Sequence, residues 1–264
     1  MAPSKREREY AAKRQAKWDE RRRARKDRQR RIGVTVAIAA ILALVAGGAL
    51  VAGLASSDPG PDTAQPGTEP AAGACPPGST QARDGGDLAA PSAAEDRTWQ
   101  ASVDLCVDGV TETVALELDG GAAPQAVASF VSLAEQGYFD GTTCHRLTTQ
   151  GIYVLQCGDP TATGTGGPGY AFGPVENAPA DDVYPAGTLA MARRGGDAES
   201  MGSQFFLVYE DSTIPSDAAG GYTVFGTVTS GLDTVQAVAD AGTADGAGDG
   251  SPVSPVIIEG VETQ

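Results

Sequence analysis

The whole chain carries one histidine, His145, set between Cys144 and Arg146. A lone imidazole cannot be half of a His-x-x-x-His metal pair. The four cysteines, at 75, 106, 144 and 157, lack the Cys-x-x-Cys spacing of a zinc site, so no metal site is expected. No Gly-x-Ser-x-Gly elbow is present to present a serine nucleophile, which leaves a hydrolase triad built on His145 without its partner. Gly164-Thr165-Gly166-Gly167-Pro168-Gly169 fits the Gly-x-Gly-x-x-Gly pattern. A dinucleotide loop must open a helix, however, and Pro168 followed by Tyr170-Ala171-Phe172-Gly173-Pro174 reads as a run of turns. Asp245-Gly246-Ala247-Gly248-Asp249-Gly250 lacks the spacing and the closing glutamate of a calcium loop and reads as a solvated acidic loop. No cofactor is expected.

The elements that must position any site are mostly β. Trp99 to Val107 and Val110 to Leu118 read as a hairpin about Asp108-Gly109. Pro124 opens a helix in which Val127, Phe130, Val131 and Ala134 recur at helical spacing, and Gly137 ends it. Short apolar runs follow at Leu147, 152–155, 188–192, 205–209, 223–228 and 256–261. Leu232 to Ala241 reads as a second helix with Leu232, Val235 and Val238 on one face. Many short strands with two helices predict an antiparallel barrel with helical plugs.

Seven blocks within residues 98–264 resemble the cyclophilin family of peptidyl-prolyl isomerases in order and spacing. They are Phe139-Asp140-Gly141-Thr142-Thr143-Cys144-His145-Arg146-Leu147, Gln156-Cys157-Gly158-Asp159-Pro160, Gly164-Thr165-Gly166-Gly167, Glu176-Asn177, Leu189-Ala190-Met191-Ala192, Gly202-Ser203-Gln204-Phe205-Phe206 and Tyr222-Thr223-Val224-Phe225-Gly226. The resemblance implies a mainly β fold, a closed eight-stranded antiparallel barrel capped by two helices. It places the catalytic arginine on Arg146, the glutamine before Gly-Asp on Gln156 and the pocket phenylalanine on Phe206. His145, Tyr153 and Val154 would line the substrate pocket, Ala192-Arg193 would take the place of the backbone-binding Ala-Asn pair, and Gln204 that of the barrel glutamine. The family's Trp-Leu pair falls on Thr213-Ile214 and its pocket histidine on Tyr222. The chain is two residues longer than the family pattern between His145 and Gln156, and again between Met191 and Gly202. With Thr213 in place of tryptophan, an indole donor and a large apolar face are lost, which implies weakened binding of cyclosporin.

The activity so implied is rotation of X–Pro bonds in proline-containing unfolded or exported polypeptides. An apolar pocket grips the proline ring while Arg146 donates to the twisting amide, and Gln156 adds a neutral hydrogen bond. A non-catalytic module that merely holds proline-containing segments is the alternative. Isomerisation needs no proton transfer, so His145 is expected as a hydrogen-bonded wall residue, and the Arg193 side chain is expected to be free for partner selection.

Charge divides the 264 residues sharply. Residues 1–31 hold 14 of the 19 basic residues and five acids, a local charge of +9, while the remainder holds five arginines, no lysine and 29 acids. A body of that sign repels phosphate backbones, so no nucleic-acid partner is expected. Between the two regimes, Ile32 to Leu54 is a 23-residue run without an ionisable side chain, long enough to span a bilayer. Basic residues abut its N-terminal end, which places residues 1–31 in the cytoplasm of a bacterium and the body outside as a single-pass membrane protein. A cleaved signal peptide is the competing reading. Residues 55–97, rich in Pro, Gly, Ala and Ser, read as a flexible tether, and 98–264 as one domain. Outside the cytoplasm disulfides form: Cys144 and Cys157 flank a turn near Gln150-Gly151 and would face each other across a hairpin, and Cys75–Cys106 would pin the tether to the barrel.

Overall fold

The computed structural model describes residues 74–264; the basic segment, the apolar run 32–54 and the tether up to residue 73 lie outside the described residues. No helix among the described residues is long and apolar enough to cross a membrane.

The first hairpin pairs β1 (Thr98–Val107) with β2 (Val110–Asp119) over their full lengths. Its turn uses positive φ at both Asp108 (52°) and Gly109 (80°), the pair of angles that matches the right-handed twist of the flanking strands. Helix α1 (Pro124–Glu135) follows, with Pro124 in the first turn, where its missing N–H costs nothing. Its N-cap residue, Ala123, offers no side-chain acceptor. The Glu176 carboxylate takes over that role from 50 residues away, accepting the Gln125 and Ala126 N–H groups at 3.0 Å each. Phe130 on the buried face of α1 sits at the centre of the core, its ring 5.1–5.5 Å from those of Phe139, Phe205 and Phe225.

The remaining elements are β3 (Arg146–Gln150), β4 (Ile152–Cys157), β5 (Val183–Tyr184), β6 (Thr188–Met191), β7 (Phe205–Val208), β8 (Ser212–Thr213), β9 (Val224–Ser230), α2 (Leu232–Ala241), β10 (Asp249–Gly250) and β11 (Val256–Thr263). Helix α2 buries Val235 and Val238. One curled antiparallel sheet runs β10-β3-β4-β7-β6-β9-β2-β1-β11, and β5 pairs with β8 beside it. This corrects the expected closed eight-stranded barrel: the sheet has nine strands, and its edge strands β10 and β11 do not pair. Residues 141–144 span the gap, with Thr143 bridging both Asp159 and Ile257. Hydrogen bonds from the Gly141 and Cys144 N–H groups to the Ile258 and Val256 carbonyls complete the seam. The turns at 139–142 leave this segment too short for a full strand.

Residues 74–97, the part of the expected tether that the structure describes, form a strap against the body of the domain. Cys75 is bonded to Cys106, Ser79 N–H donates to the Gly141 carbonyl, and Arg83 donates to the Tyr138 carbonyl at 2.7 Å. Gly85 N–H reaches the Pro168 carbonyl at 2.8 Å, and Leu88 and Ala89 pack on the core. A 3-10 turn (Pro91–Ala94) ends the strap with Ala94 fully buried and its carbonyl accepting the Trp99 indole N–H. Composition alone hides this, because the strap buries few of its own side chains and is held largely through its backbone. Cys144–Cys157 is also formed, and no free cysteine remains. The bridge Thr143↔Asp159 continues the register Arg146↔Gln156, so the two cysteines lie one residue out of direct opposition.

Cys75 and Cys106 are 31 residues apart. Cys75→Ser/Cys106→Ser should therefore lower stability by about 3 kcal/mol. Amide exchange at Ser79 and Gly85 should rise before that of the sheet; unchanged protection there would show that packing alone holds the strap.

Candidate active site

Register brings four side chains into one row. Arg146 on β3 stands opposite Gln156 on β4, Gln156 opposite Phe206 on β7, and Phe206 opposite Ala190 on β6. Partners across a ladder share a face. The adjacent row, Leu147, Leu155, Leu207 and Leu189, has the opposite parity and belongs to the main core, each at 2% exposure or less. Strands that build the core with one face thus present Arg146, Gln156 and Phe206 with the other.

Around Phe206, itself only 5% exposed, Val154, Tyr184, Ala190, Val208 and Ile214 form a second apolar cluster separate from the core, with Ile152, Ala192, Tyr222 and Val224 packed against it. The Tyr222 ring stands edge-on to Phe206 at 5.6 Å. Ile214, just past β8, is fixed by its N–H to the Asp182 carbonyl, while Thr213 is exposed.

Arg146 is held on two sides. Its Nε and Nη2 donate to Asp249 Oδ1 and Oδ2, both at 2.7 Å, and its Nη1 donates to Gln156 Oε1 at 3.2 Å. The hydrogen bonds to Asp249 raise the guanidinium above its ordinary value, so it stays a cation at any working pH. Because arginine only donates, Gln156 must turn its oxygen toward Arg146 and its NH₂ toward Gln204 Oε1, at 2.8 Å. Gln204 is then obliged to donate to the Gly166 carbonyl, also at 2.8 Å. The result is a head-to-tail relay from the cation to the glycine-rich loop.

That loop is turn-rich, as its prolines and glycines imply. Asp159 holds it: burial alone would raise this carboxyl, but hydrogen bonds from Thr161 and Gly166 outweigh burial and keep it below its ordinary value. Only glycine fits at 166, where a Cβ would lie within van der Waals overlap of both Asp159 and Thr161. The loop, with Gln156, Ala192, Arg193 and Gln204, lines a cavity of about 390 Å³ beside the row.

Three expected placements change. Tyr153 faces the core, its ring 6.0 Å from that of Tyr209, while Ile152 and Val154 face the Phe206 cluster. Alternation dictates this, since Gln156 faces the site and parity then excludes 153. The Arg193 side chain is not free: at 1% exposure it pairs with Asp217, donates to the Gly220 and Gly221 carbonyls and lies 4.7 Å over the Tyr222 ring. His145 makes no hydrogen bond through either ring nitrogen, both of which are buried. Missed altogether was Asp249, read as part of a solvated loop. The signal available was the charge balance of the body, 29 acids to five arginines, which leaves each arginine among many potential partners.

Residues 102–263 match the family model described as cyclophilin type peptidyl-prolyl cis-trans isomerase/CLD. The chain belongs to the cyclophilin family. Among curated relatives, the Probable peptidyl-prolyl cis-trans isomerase B of Mycobacterium tuberculosis is 49% identical over 160 residues, 56% of this chain and 50% of that protein. The protein of the same name from Mycobacterium leprae is 44% identical over 181 residues, 64% of this chain and 59% of that one. The chain thus spans about half the length of the curated relatives it matches. A solved cyclophilin type peptidyl-prolyl cis-trans isomerase of Cryptosporidium parvum, crystallised in the presence of the dipeptide Ala-Pro, is 26% identical with a TM-score of 0.52, covering 62% of this chain and 98% of that one.

Within this cyclophilin site, burial, opposed by Asp159 and reinforced by Arg146, holds the His145 imidazole below its ordinary value of 6.5. Between the folded value and 6.5 the unfolded chain takes up a proton that the folded chain refuses. Stability is therefore complete above about pH 6.5 and declines as pH falls through it. An NMR titration of the single imidazole should have its midpoint below 6.5; a midpoint at or above that value would contradict the buried, unpartnered ring.

Proposed function

We propose that this cyclophilin domain is a peptidyl-prolyl cis-trans isomerase for unfolded or exported polypeptides, carried on a bacterial cell membrane with the domain on the extracytoplasmic side. The observation that carries the activity is the single row in which an oriented guanidinium and amide, Arg146 and Gln156, adjoin the apolar cluster around Phe206. The names of the relatives and the proline dipeptide used with the Cryptosporidium protein support the same reading.

Resonance holds an X–Pro bond planar against a barrier of roughly 18–20 kcal/mol. As the bond twists, the prolyl nitrogen loses conjugation and becomes a better acceptor. A donor from Arg146 to that nitrogen, or to the substrate carbonyl, binds the twisted form more strongly than the planar one and so lowers the barrier. The apolar cluster holds the proline ring, and no step asks His145 to move a proton. Thr213 supplies no indole donor, so cyclosporin binds weakly.

The membrane reading is supported by the apolar run Ile32 to Leu54, the 14 basic residues that precede it and two disulfides suited to an oxidising compartment.

Exchange NMR on an X–Pro peptide with catalytic amounts of the full chain should show accelerated isomerisation. Arg146→Ala should lower turnover about a hundredfold with peptide affinity little changed. No acceleration by the unaltered chain, with peptide still bound, would establish the binding module instead. Protease added to intact spheroplasts should remove residues 98–264 and leave a protected fragment containing residues 32–54; a mature chain beginning after about residue 55 and released to the medium would establish cleavage.

A further inference from the structure

We infer that Asp249 is a positioning residue for Arg146, setting turnover without touching the substrate. The inference deepens the isomerase reading and rests on it.

The contact is two-pronged, Nε to Oδ1 and Nη2 to Oδ2 at 2.7 Å each, and such a fork fixes the plane of a guanidinium as well as its place. Gln156 holds a third N–H, on Nη1. Of the five guanidinium N–H groups, two then remain for a substrate, one on each terminal nitrogen. Without Asp249, a long side chain that is 41% exposed would be tied only at Nη1 and could swing about that single bond.

Asp249 is itself placed firmly. It pairs with Thr148 on β3, and Gly250 pairs with Leu147, the neighbour of Arg146. The Gly248 carbonyl accepts the Thr149 N–H at 2.8 Å. The loop that delivers it is closed from within: Ala244 N–H donates to the Ser251 carbonyl, Thr243 Oγ1 to the Ala247 carbonyl, and Ala247 N–H to Asp245 Oδ1. The strand that carries the cation therefore also receives the carboxylate that aims it.

An ion pair this exposed adds little to stability, with Asp249 54% exposed, so removing it tests orientation more than folding. In the full chain, Asp249→Ala should lower kcat for an X–Pro peptide about tenfold. KM should stay within about twofold and the thermal midpoint close to that of the parent. Asp249→Asn, which keeps one acceptor oxygen, should fall between the two. An unchanged or raised kcat in Asp249→Ala would overturn the inference, as would a rise in KM at constant kcat, which would mark Asp249 as a substrate contact. Loss of the folded state in both variants would also overturn it, making the pair a structural support. If the unaltered chain itself fails to accelerate exchange, the isomerase reading falls and takes this inference with it; an active parent with an indifferent Asp249 defeats the inference alone.

Discussion

Side chains of a β-strand alternate between two faces, and in this domain that period of two decides almost everything else. Leu147, Leu155, Leu207 and Leu189 line up across β3, β4, β7 and β6 on the face that meets α1 and the phenylalanine core. The residues one step along each strand must then look the other way. Arg146, Gln156, Phe206 and Ala190 are those residues. The candidate site is the outward face of the same four strands, so whatever holds the leucine row in register holds the row of Arg146, Gln156 and Phe206 with it. A slip of one residue in β3 or β4 would put a guanidinium or an amide in the core and a leucine in the site.

Orientation within the row follows from a chemical asymmetry. Arginine has donors and no acceptor, and that fact propagates through Gln156 and Gln204 to the Gly166 carbonyl, leaving each amide one sensible orientation. On the opposite side of the guanidinium a carboxylate completes the clamp. The glycine-rich loop is tied to the same system from below, because Asp159 gathers the Thr161 and Gly166 N–H groups while Gln204 engages the Gly166 carbonyl. The cation, two amides and one loop thus form a single hydrogen-bonded unit, and the apolar cluster around Phe206 borders it.

Local pattern revealed the elements whose cause is local. The Asp108-Gly109 hairpin, α1 and α2 stand where turn chemistry and helical spacing place them, and the motif order singles out Arg146, Gln156 and Phe206, which the register brings into one row. What escaped depends on residues far apart in the chain. The cap of α1 comes from Glu176, and the partner of Arg146 lies 103 residues away in a loop whose composition looked like solvent-facing filler. The strap was hidden for a related reason, since backbone hydrogen bonds to distant carbonyls leave no trace in composition. Tyr153 is different. Its inward direction was readable by counting three residues back from Gln156, and motif alignment across a two-residue insertion obscured what parity would have said.

The Cys75–Cys106 bond also determines how a mechanical load would travel. A pull arriving along the chain at Cys75 passes through the sulfurs into β1, which is hydrogen-bonded to β2 on one side and β11 on the other and so resists in shear along many rungs at once. Residues 76–97 hang as a closed side loop off that path and carry no tension. The Gly85 contact with Pro168 lies on this slack loop, so the wall of the cavity is insulated from a pull applied at Cys75.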